Sequence, residues 1–312
     1  MKQFITLLFI FSFSIFYSQK IDQMASFRNI ESDQYARIIY DNDYFSETDR
    51  DYTQGYSIEF SAPILRKNPL NKILIKNKNT SYKYGILIEH IGFTPLNIES
   101  QEIQFNDRPF ASAIMIKSYV ISTDSIKKTR LSSSLNFGIL GPGAFGKETQ
   151  TAIHRAISYT IPGGWTNQIQ NDVLINYGID FEKQLIQVRN LFSLQANLKG
   201  QLGTLYTNSS VGFNMTIGKI NSSFNLPSKK SKIQIYAYAQ PLVNFIGYDA
   251  TLQGGLFNKT STYTIPSSQI ERITYQLNYG IVIKIKNLYL EYSRAEMTRE
   301  HKKGEKIGWG GV

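Results

Sequence analysis

The 312-residue chain contains no cysteine, which rules out disulfides and thiolate-bound metals as sources of its stability. It also lacks long apolar runs: after residue 19 nothing approaches the about 20 consecutive apolar residues that a membrane-spanning helix needs. The one early run, residues 4–16 behind Lys2, is shorter than that and leads into Ser18 and Gln19. It reads as a signal peptide over residues 1–18, leaving 19–312 as one domain. The competing reading is an N-terminal anchor, because Phe16 and Tyr17 make an imperfect cleavage site.

What the chain does have is aromatic residues, 20 Tyr and 19 Phe, set in segments of alternating polarity. In residues 192–202, Phe192, Leu194, Ala196, Leu198 and Leu202 fall on one face, while Ser193, Gln195, Asn197 and Lys199 fall on the other. Residues 271–285 repeat the pattern, with Ile273, Tyr275, Leu277, Ile281 and Ile283 opposite Thr274, Gln276, Asn278 and Lys284. A period of two is the signature of a strand. The pattern predicts strands at 37–45, 53–62, 82–93, 109–122, 130–140, 171–184, 189–202, 206–217, 232–245, 271–285, 288–294 and 307–312. An even number of long alternating strands implies an all-β, twelve-stranded antiparallel transmembrane β-barrel, since in lipid only a closed sheet satisfies its own backbone. A large soluble β-protein is the alternative that this pattern leaves open.

With both termini on the periplasmic side, the loops after odd-numbered strands share the outer rim. That grouping collects three polar clusters, at residues 46–52, 94–108 and 141–170. The hairpin at Lys286 and Asn287 has the brevity expected of the inner side. The basic stretch 66–83 is long for an inner turn and reads as a solvated connection. Residues 147–158, between Gly141-Pro142-Gly143 and Pro162-Gly163-Gly164, form the one expected helix, on an extracellular loop. It carries His154, one of three histidines, with Gln150 a turn earlier on a neighbouring face. An isolated histidine is more often structural than catalytic.

Five carboxylates interrupt the first two strands between Tyr40 and Gly55. Tyr40-Asp41-Asn42-Asp43, Thr48-Asp49-Arg50-Asp51-Tyr52-Thr53-Gln54-Gly55, Asn106-Asp107-Arg108-Pro109-Phe110-Ala111, Gly141-Pro142-Gly143 through Glu148 to His154-Arg155, and the segment 248–255 follow one another along the chain. In that order they resemble the outer-membrane lipid A 3′-O-deacylases, over nearly the whole mature chain. The resemblance implies a calcium-dependent hydrolase of the outer membrane, with its site toward the extracellular leaflet, that removes an ester-linked acyl or acyloxyacyl chain from lipid A of lipopolysaccharide. It carries the family's catalytic residues onto Asn42, Asp43, Thr53 and His154. One position departs from the family pattern: an acidic residue expected about six places beyond the histidine is Thr160 here.

These residue types suit that chemistry. Ester hydrolysis needs a base near neutral pH, which an imidazole provides, and positive charge where the oxyanion forms. A bound Ca²⁺ would provide that charge, with Asp43 as an oxygen ligand. Alternation would put Asn42 and Asp43 on opposite faces, so either the strand ends there or one acts through its backbone. Arg50 and Arg108 are candidates for lipid phosphates or for rim ion pairs, and Asp49 and Asp107 for structure.

The formal charge of +10, or +9 once Lys2 leaves, favours an anionic glycolipid surface, though many of the cations are predicted on the inner side. A monomer amid outer-membrane lipids is expected, with no nucleic-acid partner. Two rival functions share the barrel: an outer-membrane phospholipase, which would need a serine beside a histidine, and a non-enzymatic channel or structural barrel. The chain finishes Gly308-Trp309-Gly310-Gly311-Val312 rather than on an aromatic residue; either the chain stops short or Trp309 serves that end.

Overall fold

The computed structural model describes residues 30–43, 51–221, 224 and 231–312. The expected signal peptide and Arg50 lie outside them. The strands are β1 (Tyr35–Asn42), β2 (Asp51–Ser61), β3 (Ser81–Thr94), β4 (Ala111–Asp124), β5 (Thr129–Leu140), β6 (Asp172–Val188), β7 (Phe192–Gly203), β8 (Tyr206–Lys219), β9 (Ile233–Asp249), β10 (Ile273–Ile285), β11 (Leu288–Met297) and β12 (Ile307–Gly311). They pair antiparallel in sequence order, and β12 returns to β1 through Asp41 opposite Gly311 and Asn42 opposite Gly310. This is the closed twelve-stranded barrel that the alternation implies. Strand β6 runs four residues past its expected end, because a register shift between Gln184 and Ile186 breaks the alternation there without ending the pairing.

Burial is inside out. Ser193, Gln195 and Asn197 of β7 and Thr274, Gln276, Asn278 and Lys284 of β10 are buried, whereas Ile38, Phe60, Leu202 and Ile217 stand more than half exposed on the outer wall. Polar groups face the lumen and pair with one another: Arg130 pairs with Glu182 at 2.7 Å, Asn197 donates to Asp180 at 2.7 Å, and Arg37 pairs with Glu59. Such a wall is unfavourable in water and suits lipid, where a closed sheet leaves no backbone group unpaired. No helix among the described residues is long and apolar enough to cross a membrane.

Loops after odd-numbered strands share one rim, as expected, and so do the motif segments that the structure describes. Beneath this mouth an apolar layer fills the lumen, built from Tyr52, Phe93, Met115, Leu140, Leu174 and Tyr206 among others. Trp309 belongs to the same layer, its ring 5.2 Å from that of Tyr52, so it points inward and does not serve as an outward terminal aromatic. A cavity of about 230 Å³ lies deeper in the lumen, with Asp41, Glu89, Lys117 and Lys199 in its wall.

The basic connection between β2 and β3 is not the solvated loop that its composition suggests. Residues Pro63–Lys67 and Pro69–Lys72 form two short 3-10 turns, and Leu74 packs into a cluster with Tyr84, Val120 and Leu135. Those three partners face the outside of the barrel. The connection therefore folds back over the outer wall.

Candidate active site

The first motif is split by the end of a strand. β1 stops at Asn42, and Asp43 lies buried just beyond it, so alternation no longer constrains the pair. The Asn42 side-chain amide donates to the Thr53 carbonyl at 2.5 Å, tying the start of β2 to the end of β1. Thr53 itself sits at a register shift: Tyr52 pairs with Phe93 and Gln54 with Gly92, leaving Thr53 as the extra residue of a bulge. Tyr52, Thr53 and Gln54 are all buried in succession, which an uninterrupted strand would not allow. A bulge of this kind re-aims a side chain at the rim of a barrel, and here it sends the Thr53 hydroxyl toward the outer loop.

That hydroxyl meets helix α1 (Gly146–Ala156). The chain leaves β5 through Gly141, whose φ of +95° suits glycine, and a short turn at Pro142–Ala144. A Cβ on Gly146 would lie 2.4 Å from that of Ser112 and 2.6 Å from the Trp165 ring, so the helix can start this close to the wall only with glycine there. Gln150 and His154 are buried on the helix, four residues apart. Four residues advance an α-helix by little more than one turn, so the two share a face; the expectation of a neighbouring face for Gln150 is corrected. Gln150 receives a hydrogen bond from the Trp165 indole at 2.7 Å and donates to the Thr53 hydroxyl at 3.2 Å. Its amide is thus fixed in orientation.

The helix end supplies the partner for His154. Ser158 adopts a left-handed φ of +55°, the Ser158 amide donates to the Arg155 carbonyl at 3.3 Å, and the Tyr159 amide donates to the His154 carbonyl at 2.7 Å. This is the Schellman arrangement, in which the chain doubles back over its last turn. The Tyr159 ring packs edge-on against the imidazole with centroids 5.1 Å apart, and the next residue brings its carbonyl to 2.5 Å from His154 Nδ1. A carbonyl only accepts, so Nδ1 carries the proton and Nε2 is left as the basic nitrogen. The carbonyl belongs to Thr160. The acidic side chain absent from this position is replaced by backbone.

Elsewhere on the rim the motifs interlock as structure. The Arg108 side chain has no exposed surface: it donates to Glu300 at 2.7 Å and to the Thr251 hydroxyl at 3.2 Å, and its guanidinium lies 4.0 Å over the Phe93 ring. The Thr251 hydroxyl in turn donates to Asp249 at 2.7 Å, within the single turn α2 (Ala250–Gln253). Asp107 accepts from the Leu96 and Arg108 amides, both at 2.7 Å, and braces its own loop. In this arrangement Arg108 is a rim strut, and its expected contact with a lipid phosphate has no surface to act through.

A serine does touch a histidine here. Ser112 Oγ lies 3.2 Å from His90 Nε2, but the same nitrogen lies 2.8 Å from the Ala144 carbonyl. Nε2 must therefore be protonated, and it cannot act as base toward Ser112, which is fully buried. His90 supports the turn that launches α1. Sequence reasoning missed it, along with Trp165; an aromatic just past Gly164 and a histidine near the end of β3 carry no distinguishing pattern.

A model of the family "Outer membrane protein LpxR" matches residues 4–312. Among solved structures, LpxR from Salmonella typhimurium aligns with a TM-score of 0.73 at 18% identity, over 88% of this chain and 97% of that one. The beta domain of the Bordetella autotransporter BrkA aligns with a TM-score of 0.46 at 8% identity, over 89% of this chain and 96% of that one. No curated protein matches significantly. The closed barrel, with its motif-bearing rim and histidine helix, is thus matched by a family model over almost its entire length, and the chain belongs to the LpxR family of outer-membrane proteins.

Proposed function

We propose that the protein is a lipid A 3′-O-deacylase that hydrolyses an ester-linked acyl or acyloxyacyl chain at the extracellular leaflet. The observation that carries this reading is the hydrogen bond from His154 Nδ1 to the Thr160 carbonyl, on the helix face that also holds Thr53 through Gln150. That bond sets the tautomer, so Nε2 can take the proton of an attacking water and later pass it to the leaving alkoxide. A carbonyl stabilises the resulting imidazolium less than a carboxylate would, so the residue works chiefly through orientation. Because Gln150 donates to Thr53, the threonine hydroxyl is set to donate onward to a substrate oxygen.

Calcium belongs to the same proposal. The donors around the bulge are hard oxygens: the Asp43 carboxylate, the Asn42 amide oxygen and the Thr53 hydroxyl. No group of three or more His, Asp or Glu side chains able to hold a metal occurs among the described residues. Neutral oxygens and water would complete the shell, a composition that Ca²⁺ accepts and Zn²⁺ does not. When bound, the ion supplies positive charge to the ester oxyanion.

Mass spectrometry of lipid A from cells with and without the protein tests the reading. Loss of one ester-linked chain is the expected result. Altered phospholipid would support the lipase, and no change the passive barrel. Chelation of calcium is expected to abolish turnover reversibly, and turnover that persists in chelator would remove the metal from the mechanism.

A further inference from the structure

The connection between β2 and β3 lies at the rim opposite the mouth and plays no part in the proposed chemistry. Three features set it apart. It covers polar groups on a wall that otherwise faces lipid: Ser118, Ser122 and Ser133 sit at outward positions of β4 and β5, and the connection reaches them through the Asn68 amide, the Asn77 backbone amide and the Ile75 carbonyl, at 3.0, 3.3 and 2.6 Å. Ser118 is six residues in from the strand end at Asp124, so the connection climbs well up the barrel side.

It also replaces the wall that it hides with an apolar surface of its own. Leu74 turns inward onto Tyr84 and Val120, while Ile64, Ile73 and Ile75 project outward at 65%, 58% and 51% exposure. Finally, Arg66, Lys67, Lys72, Lys76 and Lys78 are all exposed, residues 62–80 contain no Asp or Glu, and none of the five cations forms an ion pair with another described residue. Isoleucines set among unpaired cations on the side of a barrel form an interfacial surface, apolar toward acyl chains and basic toward phosphate.

We propose that residues 62–80 form an apron that binds anionic phospholipid headgroups of the leaflet opposite the active site, with Ile64, Ile73 and Ile75 inserted at the acyl boundary and the five cations on the phosphates. The apron then fixes the depth and tilt at which the barrel sits, independently of the chemistry at the mouth.

The absence of cysteine makes the test clean, because Ile73→Cys introduces the only thiol and takes one nitroxide label. The full-length protein is reconstituted in phosphatidylethanolamine–phosphatidylglycerol vesicles. The label is expected to collide more with oxygen than with a water-soluble nickel complex. Native mass spectrometry is expected to show phosphatidylglycerol retained by the wild type, weakened by salt, and reduced at least about tenfold in Arg66→Gln/Lys67→Gln/Lys72→Gln/Lys76→Gln/Lys78→Gln. The salt dependence of the wild type stands as an independent measurement if that variant fails to fold. Preferential collision with nickel, salt-independent retention, or dipolar broadening that grows with protein density would each overturn the proposal, the last by showing a second copy of the chain on this face.

Discussion

In one part of the rim, neutral hydrogen bonds join Trp165, Gln150 and Thr53, and the helix that carries Gln150 also carries an imidazole held by a single carbonyl; in another, Arg108, Glu300, Thr251 and Asp249 form a buried charged network. Each combines motif segments with a residue from outside them, Trp165 in one and Glu300 in the other. The charged side is buried, with Arg108 held by Glu300 and Thr251, so it holds loops together and presents no exposed guanidinium to a substrate. The neutral side presents a nitrogen with a lone pair and a hydroxyl able to donate, the two groups that the proposed hydrolysis uses. A buried charge is costly to leave unpaired, whereas a neutral chain can exchange one partner for a substrate atom at little cost.

Variants on the two sides should separate these roles. The largest effect is expected of His154→Ala, a loss of about 10²- to 10⁴-fold in deacylation with the barrel still heat-modifiable on gels. A variant that keeps most of its activity would place the base elsewhere. On the charged side, Glu300→Ala strands the Arg108 cation and should lower stability by about 3–5 kcal/mol, read as an earlier midpoint of denaturant unfolding in detergent. The paired change Arg108→Met with Glu300→Leu should recover much of that loss; if it does not, the ion pair is not what the rim depends on.

Gln150→Ala removes the link between Trp165 and Thr53, each bond contributing about 1 kcal/mol, and should slow turnover about 5- to 30-fold with a smaller shift in unfolding midpoint than Glu300→Ala. An unchanged rate would mean that Thr53 needs no orientation. The smallest effect belongs to Thr160→Ala, which keeps the carbonyl that His154 uses, and its rate should stay within about twofold of wild type. A collapse comparable to His154→Ala would show that the threonine hydroxyl, rather than the backbone, carries the role.

Much of the fold is legible along the chain because lipid on one side and a polar lumen on the other impose a strict period of two. β7 and β10 show it without interruption, and alternation alone assigns their inward and outward residues. The bulge at Thr53 is not legible, since one extra residue in a pairing leaves no mark on composition. The partner of Arg108 is Glu300, 192 positions away, and no local pattern connects them. The apron was hidden for a related reason: a basic, asparagine-rich segment reads as solvated until outward serines on distant strands are seen to need its partners.

By itself the sequence determined the barrel, its strand count, the rim shared by its motifs and the residues worth suspecting, because each follows from periodicity, loop order or residue chemistry within a short window. Only the tertiary structure decided which motif residues lock the rim, as Arg108 does with Glu300, and which meet the histidine helix, as Thr53 does through Gln150. It also decided what orients His154: a backbone carbonyl is common to every residue, so its use becomes visible only when a left-handed turn at Ser158 carries it back to the ring.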